Sequence, residues 1–139
     1  AGGRRLFEVV QATANLLERS VVPALERARA AGLTVVVKEG LANGRLAGRD
    51  ASGRSPEVQA ALTEAARAEV APPDAVALAA LLAQPWADVV LSGASTVAQL
   101  ESNLRARDVT PERARALWAS TSPEAPEAYW AHRKTFAWT

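Results

Sequence analysis

Apolar and polar residues follow two rhythms along this chain. Three short apolar-rich runs have the length and β-branched content of strands: 6–11 (LFEVVQ), 33–37 (LTVVV) and 89–91 (VVL). The second is a continuous run, typical of a parallel strand covered on both faces. Between the runs the apolar positions recur at helical steps. Pro23 stands where a helix can start, Ala24, Leu25 and Ala28 share one face, and Gly32 closes the segment. Ser55-Pro56-Glu57 combines an N-cap, a first-position proline and a first-turn acid, predicting a helix to about Glu69. Pro72-Pro73-Asp74 opens a second, whose sequence AVALAALLAQ is apolar on most sides and so belongs in a core. Thr96 and Gln99 stand in capping-box spacing before Val97, Leu100 and Leu104, and Thr110-Pro111-Glu112 repeats the start signal. Residues 38–54, rich in Gly and lacking any period, predict a long loop of the kind that binds or covers ligands.

The predicted order is strand–helix–strand–loop–helix–helix–strand–helix–helix. Strands alternating with helices imply an α/β fold with parallel crossovers. Three parallel strands leave two unpaired apolar edges, so the chain reads as part of a larger sheet. A (β/α)8 barrel needs eight such units and typically about 250 residues.

Composition narrows the classes. At 139 residues with 49% apolar content, one domain with a real core is expected and disorder is not. A net charge of +1 with scattered arginines gives no electrostatic case for nucleic acid or an acidic membrane. The absence of cysteine excludes disulfides, thiolate metal sites and cysteine nucleophiles, and no metal-ligand cluster stands out. No run reaches membrane-spanning length, which predicts a soluble, cytoplasmic protein. The chain begins at Ala1 and contains no methionine. Initiator removal explains that start, and so does a helix whose beginning lies upstream of AGGRR.

The chemistry is concentrated in 89–104, VVLSGASTVAQLESNL. A strand that turns through Ser92, Gly93, Ala94 and Ser95 into a helix start presents backbone N–H groups and a dipole that favour an anion. The two readings are a phosphate site and an ordinary strand–helix turn.

Three segments, FEVVQATANLLERS, VVVKEGLANGRL and VVLSGASTVAQLESNL, in that order resemble the C-terminal portion of aldo/keto reductases. The resemblance covers essentially residues 1–139. It implies a partial (β/α)8 TIM barrel, about the last three βα units plus a C-terminal helical tail. It also implies an NADP-dependent oxidoreductase that reduces aldehydes or ketones, with NAD possible as cofactor. By the same resemblance Gln11 holds the nicotinamide carboxamide, and Leu41 lies in the loop over the pyrophosphate. Ser92, Gly93, Ala94 and Ser95 surround the 2′-phosphate, Gln99 falls where the family often has Arg, and Asn103 meets the adenine edge. Lys38 stands where many members stack an aromatic ring on the nicotinamide. Phosphate-binding cations of many members become Gly93 and Gln99, which weakens discrimination for the 2′-phosphate.

The family's catalytic Asp, Tyr, Lys and His belong to earlier strands, so the chain is expected to be N-terminally truncated, with its catalytic residues elsewhere. Its one tyrosine, Tyr129, and one histidine, His132, lie in the aromatic tail 122–139 and are expected to pack or face solvent there. Lys38 beside Glu39 reads either as an ion pair at a barrel rim or as an acid–base candidate. The alternative function is a non-catalytic nucleotide-binding α/β module that completes its sheet with a partner, and the plainest is a scaffold with no ligand. Neither the carbonyl substrate nor an oligomeric state is fixed by these residues.

Overall fold

A computed structural model describes residues 6–48 and 54–136. Three parallel strands pair in the order β1 (Val9–Thr13), β2 (Thr34–Lys38), β3 (Val89–Val90). Helix α1 (Val22–Ala30) joins β1 to β2, and α2 (Pro56–Ala68) with α3 (Pro73–Leu82) joins β2 to β3. Then follow α4 (Val97–Leu104), α5 (Pro111–Ser120) and α6 (Pro126–Arg133), with 3-10 turns at Ala42–Ala47 and Arg105–Asp108. Through α5 this is the order that the sequence pattern predicts; α6 lies in the tail, which the resemblance implies to be helical. The stretch AGGRR, residues 49–53 of the long loop and Trp138 lie outside the described residues.

Strand boundaries follow pairing rather than composition. β1 runs from Val9, matched to Thr34, to Thr13, matched to Lys38. Leu6 and Phe7, expected inside the first strand, precede the ladder and are largely exposed. β3 is short, but its ladder continues at both ends. Leu91 N–H donates to the Val37 carbonyl at 2.9 Å, and the Asp88 carboxylate accepts from Val35 N–H at 2.8 Å. Asp88 thereby substitutes for a strand carbonyl and also holds Arg29 at 2.8 Å.

Alternation sorts the sheet into two unlike faces. Val10, Ala12, Val35, Val37 and Val90 pack with Leu25 of α1, Leu81 of α3 and Trp86. The opposite face carries Val9, Gln11, Thr34, Val36, Lys38, Val89 and Leu91. Among the described residues no helix covers it, and Val9 remains 54% exposed. The expectation that β2 is covered on both faces is therefore corrected: only its Val35 and Val37 side is buried.

Helix α3 is the packing centre. Every residue from Asp74 to Leu81 is buried, between α2, α5 and the sheet. The loop after β2 passes it closely. A Cβ on Gly40 would lie 3.0 Å from a Leu81 methyl and 3.1 Å from a Leu78 methyl, so only glycine fits without displacing the core.

The helical step Val97, Leu100 and Leu104 forms α4 as predicted; those side chains are exposed, and the buried residue of the helix is Asn103. One helix expectation is corrected. Ser55 does not cap α2. Its backbone is left-handed (φ 54°), and its hydroxyl donates to Glu124 Oε1 at 2.5 Å. The competing partner is a buried ion pair: Arg45 holds both Glu124 oxygens, at 2.5 and 3.3 Å.

The tail docks on the loops at the C-terminal ends of the strands, as its aromatic content predicts. Asn15 is fully buried, and its Oδ1 accepts the Leu17 and Glu18 amides. Its Nδ2 donates to the Glu39 carbonyl and to Tyr129 Oη, both at 3.0 Å. Arg133 grips the Glu39 carboxylate through two bonds, 3.1 and 3.2 Å. Arg19 lies 3.9 Å from the Trp118 ring centroid and donates to Trp118 O and Thr121 Oγ1. Burial lowers that guanidinium to about 10.

Two outcomes follow from this docking. Asn15→Ala strands the Leu17 amide and the Tyr129 hydroxyl and leaves the Glu18 amide only its 3.3 Å bond to the Asn15 carbonyl, and is expected to lower stability by about 2–4 kcal/mol in urea denaturation; a change within error would contradict the central place of Asn15. Acid is expected to loosen the tail. Burial pushes the Glu124 carboxyl up, but bonds from Arg45 and Ser55 outweigh it and hold it below its ordinary 4.5. Its stabilisation is present above that value and lost as pH falls through the lowered one. Glu124→Gln should flatten that part of the stability–pH profile.

Candidate functional site

The C-terminal ends of β2 and β3 open into a cavity of about 390 Å³. One wall is 38–41 with Asn43, Gly44 and Ala47; the other is 91–95 with Gln99 and Asn103; Asp74 lies between them. The position follows from topology, because parallel strands send their loops to the same end of the sheet.

The first wall departs from ordinary backbone geometry. Glu39, Ala42 and Asn43 have φ of 54°, 48° and 56°. Left-handed geometry costs about 1–2 kcal/mol per non-glycine residue. Here it is held by Ala42 N–H to Glu39 O at 2.9 Å and Gly44 N–H to Leu41 O at 3.0 Å. Such strain collects where a loop must keep one shape.

The second wall is a strand end turning into α4. Gly93 takes φ 65°, with open space where a Cβ would stand. Thr96 caps the helix as predicted: its hydroxyl accepts Gln99 N–H at 3.2 Å. The return bond of the capping box is displaced by one residue. Gln99 Oε1 accepts both the N–H of Ser95, at 2.8 Å, and its hydroxyl, at 3.0 Å. An amide oxygen thus occupies two of the donors in the turn. The N–H groups of the helix's first turn that lack an intrahelical acceptor point the same way.

Asn103 is 5% exposed. Its Nδ2 donates to Ser92 O at 3.1 Å, which ties α4 to the turn. Its Oδ1 is buried and has no hydrogen-bond partner among the described residues. Buried acceptors are rarely left so, and Asn103 is one of the residues that line the cavity. Asp74 accepts from Ser102 Oγ and from Ala75 N–H, both at 3.0 Å.

Of the sequence-derived site residues the cavity gathers Leu41, Ser92, Gly93, Ala94, Ser95, Gln99 and Asn103. Gln11 is not in its wall. It sits within β1, paired with Val36, exposed on the open face of the sheet. Asn43 and Gly44 belong to the loop 38–54 read as a binding loop, whereas Asp74 was not anticipated as a lining residue. Its signal in the sequence, a first-turn acid, is shared with any helix start. Lys38 and Glu39 do not form the expected ion pair: Glu39 is taken by Arg133 of α6. Tyr129 is packed, as expected. Burial pushes its phenol up to about 12, against the Asn15 hydrogen bond, and the Glu39 and Glu18 charges add to the rise. A general acid for neutral pH needs the opposite shift. Among the described residues no cluster of His, Cys, Asp and Glu suits a metal ion, and no helix is long and apolar enough to cross a membrane.

No protein-family model matches the sequence, and no curated protein matches it. Solved structures do match. A thermostable aldo-keto reductase, Tm1743, crystallised with the inhibitor epalrestat, superposes with a TM-score of 0.65 at 25% identity; the match covers 80% of this chain and 39% of that one. The aldo-keto reductase AKR11C1 from Bacillus halodurans superposes at 0.68 and 22% identity in its holo form, over 91% of this chain and 46% of that one. Its apo form gives 0.68 and 22%, over 88% and 46%. The chain thus spans less than half the length of these structures. Its three parallel βα units have the fold of part of an aldo-keto reductase barrel, consistent with the C-terminal portion of that barrel.

Proposed function

We propose that the cavity between β2 and β3 is the adenosine-phosphate end of a nicotinamide-dinucleotide site. The chain then serves an NADP-dependent oxidoreductase that reduces aldehydes or ketones. The observation that carries this reading is a cavity lined both by the 92–95 turn and by Asn103, whose Oδ1 has no partner among the described residues. An adenine amino group is a donor of the kind that oxygen lacks. Backbone amides at the start of α4, together with the helix dipole, supply the phosphate contacts. Leu41 covers the pyrophosphate, and the nicotinamide extends from there along the open sheet face towards Gln11.

The turn 92–99 carries no cation, so a 2′-phosphate would rest on amides, hydroxyls and the dipole. NADP remains the first choice and NAD the second. In binding phosphate, Ser95 must exchange Gln99 Oε1 for a phosphate oxygen. In that reaction a reduced nicotinamide would supply hydride to the carbonyl carbon, and the proton for the carbonyl oxygen is assigned to none of the residues that line this cavity.

A second reading has an observation of its own. The open face and both sheet edges carry apolar side chains, which suits a non-catalytic nucleotide-binding module that completes its sheet with a partner. The two readings share the cavity and differ in turnover. NADPH oxidation by a broad panel of aldehydes and ketones favours the reductase; nucleotide binding without turnover favours the module.

Two substitutions test the placement of the nucleotide in the full-length protein, by NADPH fluorescence titration. Gly93→Glu puts a carboxylate and a strained backbone at the phosphate, and should abolish binding; unchanged affinity would mean that the phosphate lies elsewhere. Asn103→Ala should weaken NADPH by about tenfold, the worth of one buried hydrogen bond and its unpaired partner. Reduced nicotinamide mononucleotide, which lacks the adenosine, should bind as before, and an equal loss for both would count against the adenine assignment.

A further inference from the structure

Strand β2 delivers two adjacent charges of opposite sign to the cavity rim, and the fold treats them differently. Glu39 is removed from the cavity's charge balance. Its left-handed backbone is held by Asn15, and both carboxylate oxygens are bound by Arg133, which arrives 94 residues later on α6. The two side chains are 20% and 12% exposed, so this pair is only weakly accessible to solvent. The other carboxylate on the wall, Asp74, is engaged by Ser102 and by the Ala75 amide.

Lys38 is left over. Alternation along β2 places it with Thr34 and Val36 on the open face, and it lines the cavity. It is half-buried, and its ammonium makes no hydrogen bond or ion pair among the described residues. A half-buried unpaired cation beside a cavity loses solvation without a compensating partner, so an anion there gains more than it would at an exposed lysine.

We infer that Lys38 is an anion-anchoring residue, and that it takes a phosphate or carboxylate oxygen of the molecule bound in the cavity. An ammonium suits this as a compact charge with three donors that adapts to either oxyanion. The inference rests on the nucleotide reading for the identity of the ligand. The anion is either a phosphate of the dinucleotide or an acidic group on the carbonyl substrate. In the second case the enzyme prefers keto or aldehyde acids to neutral carbonyls. Arg133 is the positioning residue: by holding Glu39 it keeps the ammonium available.

The test uses the full-length protein and its K38Q and K38R variants, titrated calorimetrically with inorganic pyrophosphate, pyruvate and NADPH. Lys38→Gln should weaken at least one of the two simple anions about tenfold or more, and Lys38→Arg should restore most of that affinity. A parallel loss of NADPH affinity assigns the anion to the cofactor. Loss of pyruvate with NADPH unchanged assigns it to the substrate. Wild-type protein that binds neither anion, or K38Q that binds both as the wild type does, overturns the inference. Pyrophosphate held through Lys38 without any NADPH binding would leave this site standing and refute the nucleotide reading. NADPH binding with K38Q indifferent to both anions would do the reverse.

Discussion

Parallel strands cannot be joined by a tight turn, and this chain meets that constraint by laying its crossover helices on one side of the sheet. Everything else depends on that choice. Leu25 of α1 and Leu81 of α3 cover the Val35 and Val37 side. The loops after β2 and β3 emerge at the same end, which creates the cavity between them. The other face of the sheet keeps Val9, Val89 and Leu91 exposed. In the likeness to aldo-keto reductases, fewer than half of whose residues this chain matches, that face corresponds to the inside of a barrel.

The constraint is enforced by two long-range connections. Helix α3 fills the space between sheet and outer helices so closely that the loop after β2 needs a glycine at 40 to pass it. Helix α6 returns to the strand ends and ties two loops together. Tyr129 meets Asn15, and Arg133 meets Glu39. Side chains of low exposure make these contacts, so they hold the left-handed loop geometry that the cavity wall requires. The same contact decides the charge of the cavity. Glu39 is neutralised by a residue that is distant in sequence, and Lys38, its neighbour, has no partner among the described residues.

The site has a corresponding division. One wall is backbone: the Ser92–Ser95 turn, with Gly93 in the left-handed region and α4 behind it. The other is strained loop. Among the described residues two polar groups of the lining side chains have no partner, the acceptor Asn103 Oδ1 and the donor Lys38 Nζ. Gln99 Oε1 accepts both donors of Ser95. A ligand that answers all of these would carry a donor edge and an anion, which is the chemistry of a nucleotide.

Local signals in the sequence determined the type and order of the elements. Proline at helix starts, the Thr96 cap and the β-branched run of β2 act through bonds within a few residues, so they can be read without a fold. The turn at 92–95 and its continuation to Asn103 were legible for the same reason. Pairing and burial were not. β1 begins at Val9 instead of Leu6 because Thr34 sets its register. Val97, Leu100 and Leu104 mark a helical face, yet the fold exposes that face and buries Asn103. Ser55 gives up its cap for Glu124, 69 residues away. Gln11 lies on the open face and not in the cavity, and Lys38 loses Glu39 to Arg133. A local hydrogen bond forms wherever the chain goes, whereas a buried charge or an open sheet face exists only once distant segments have met.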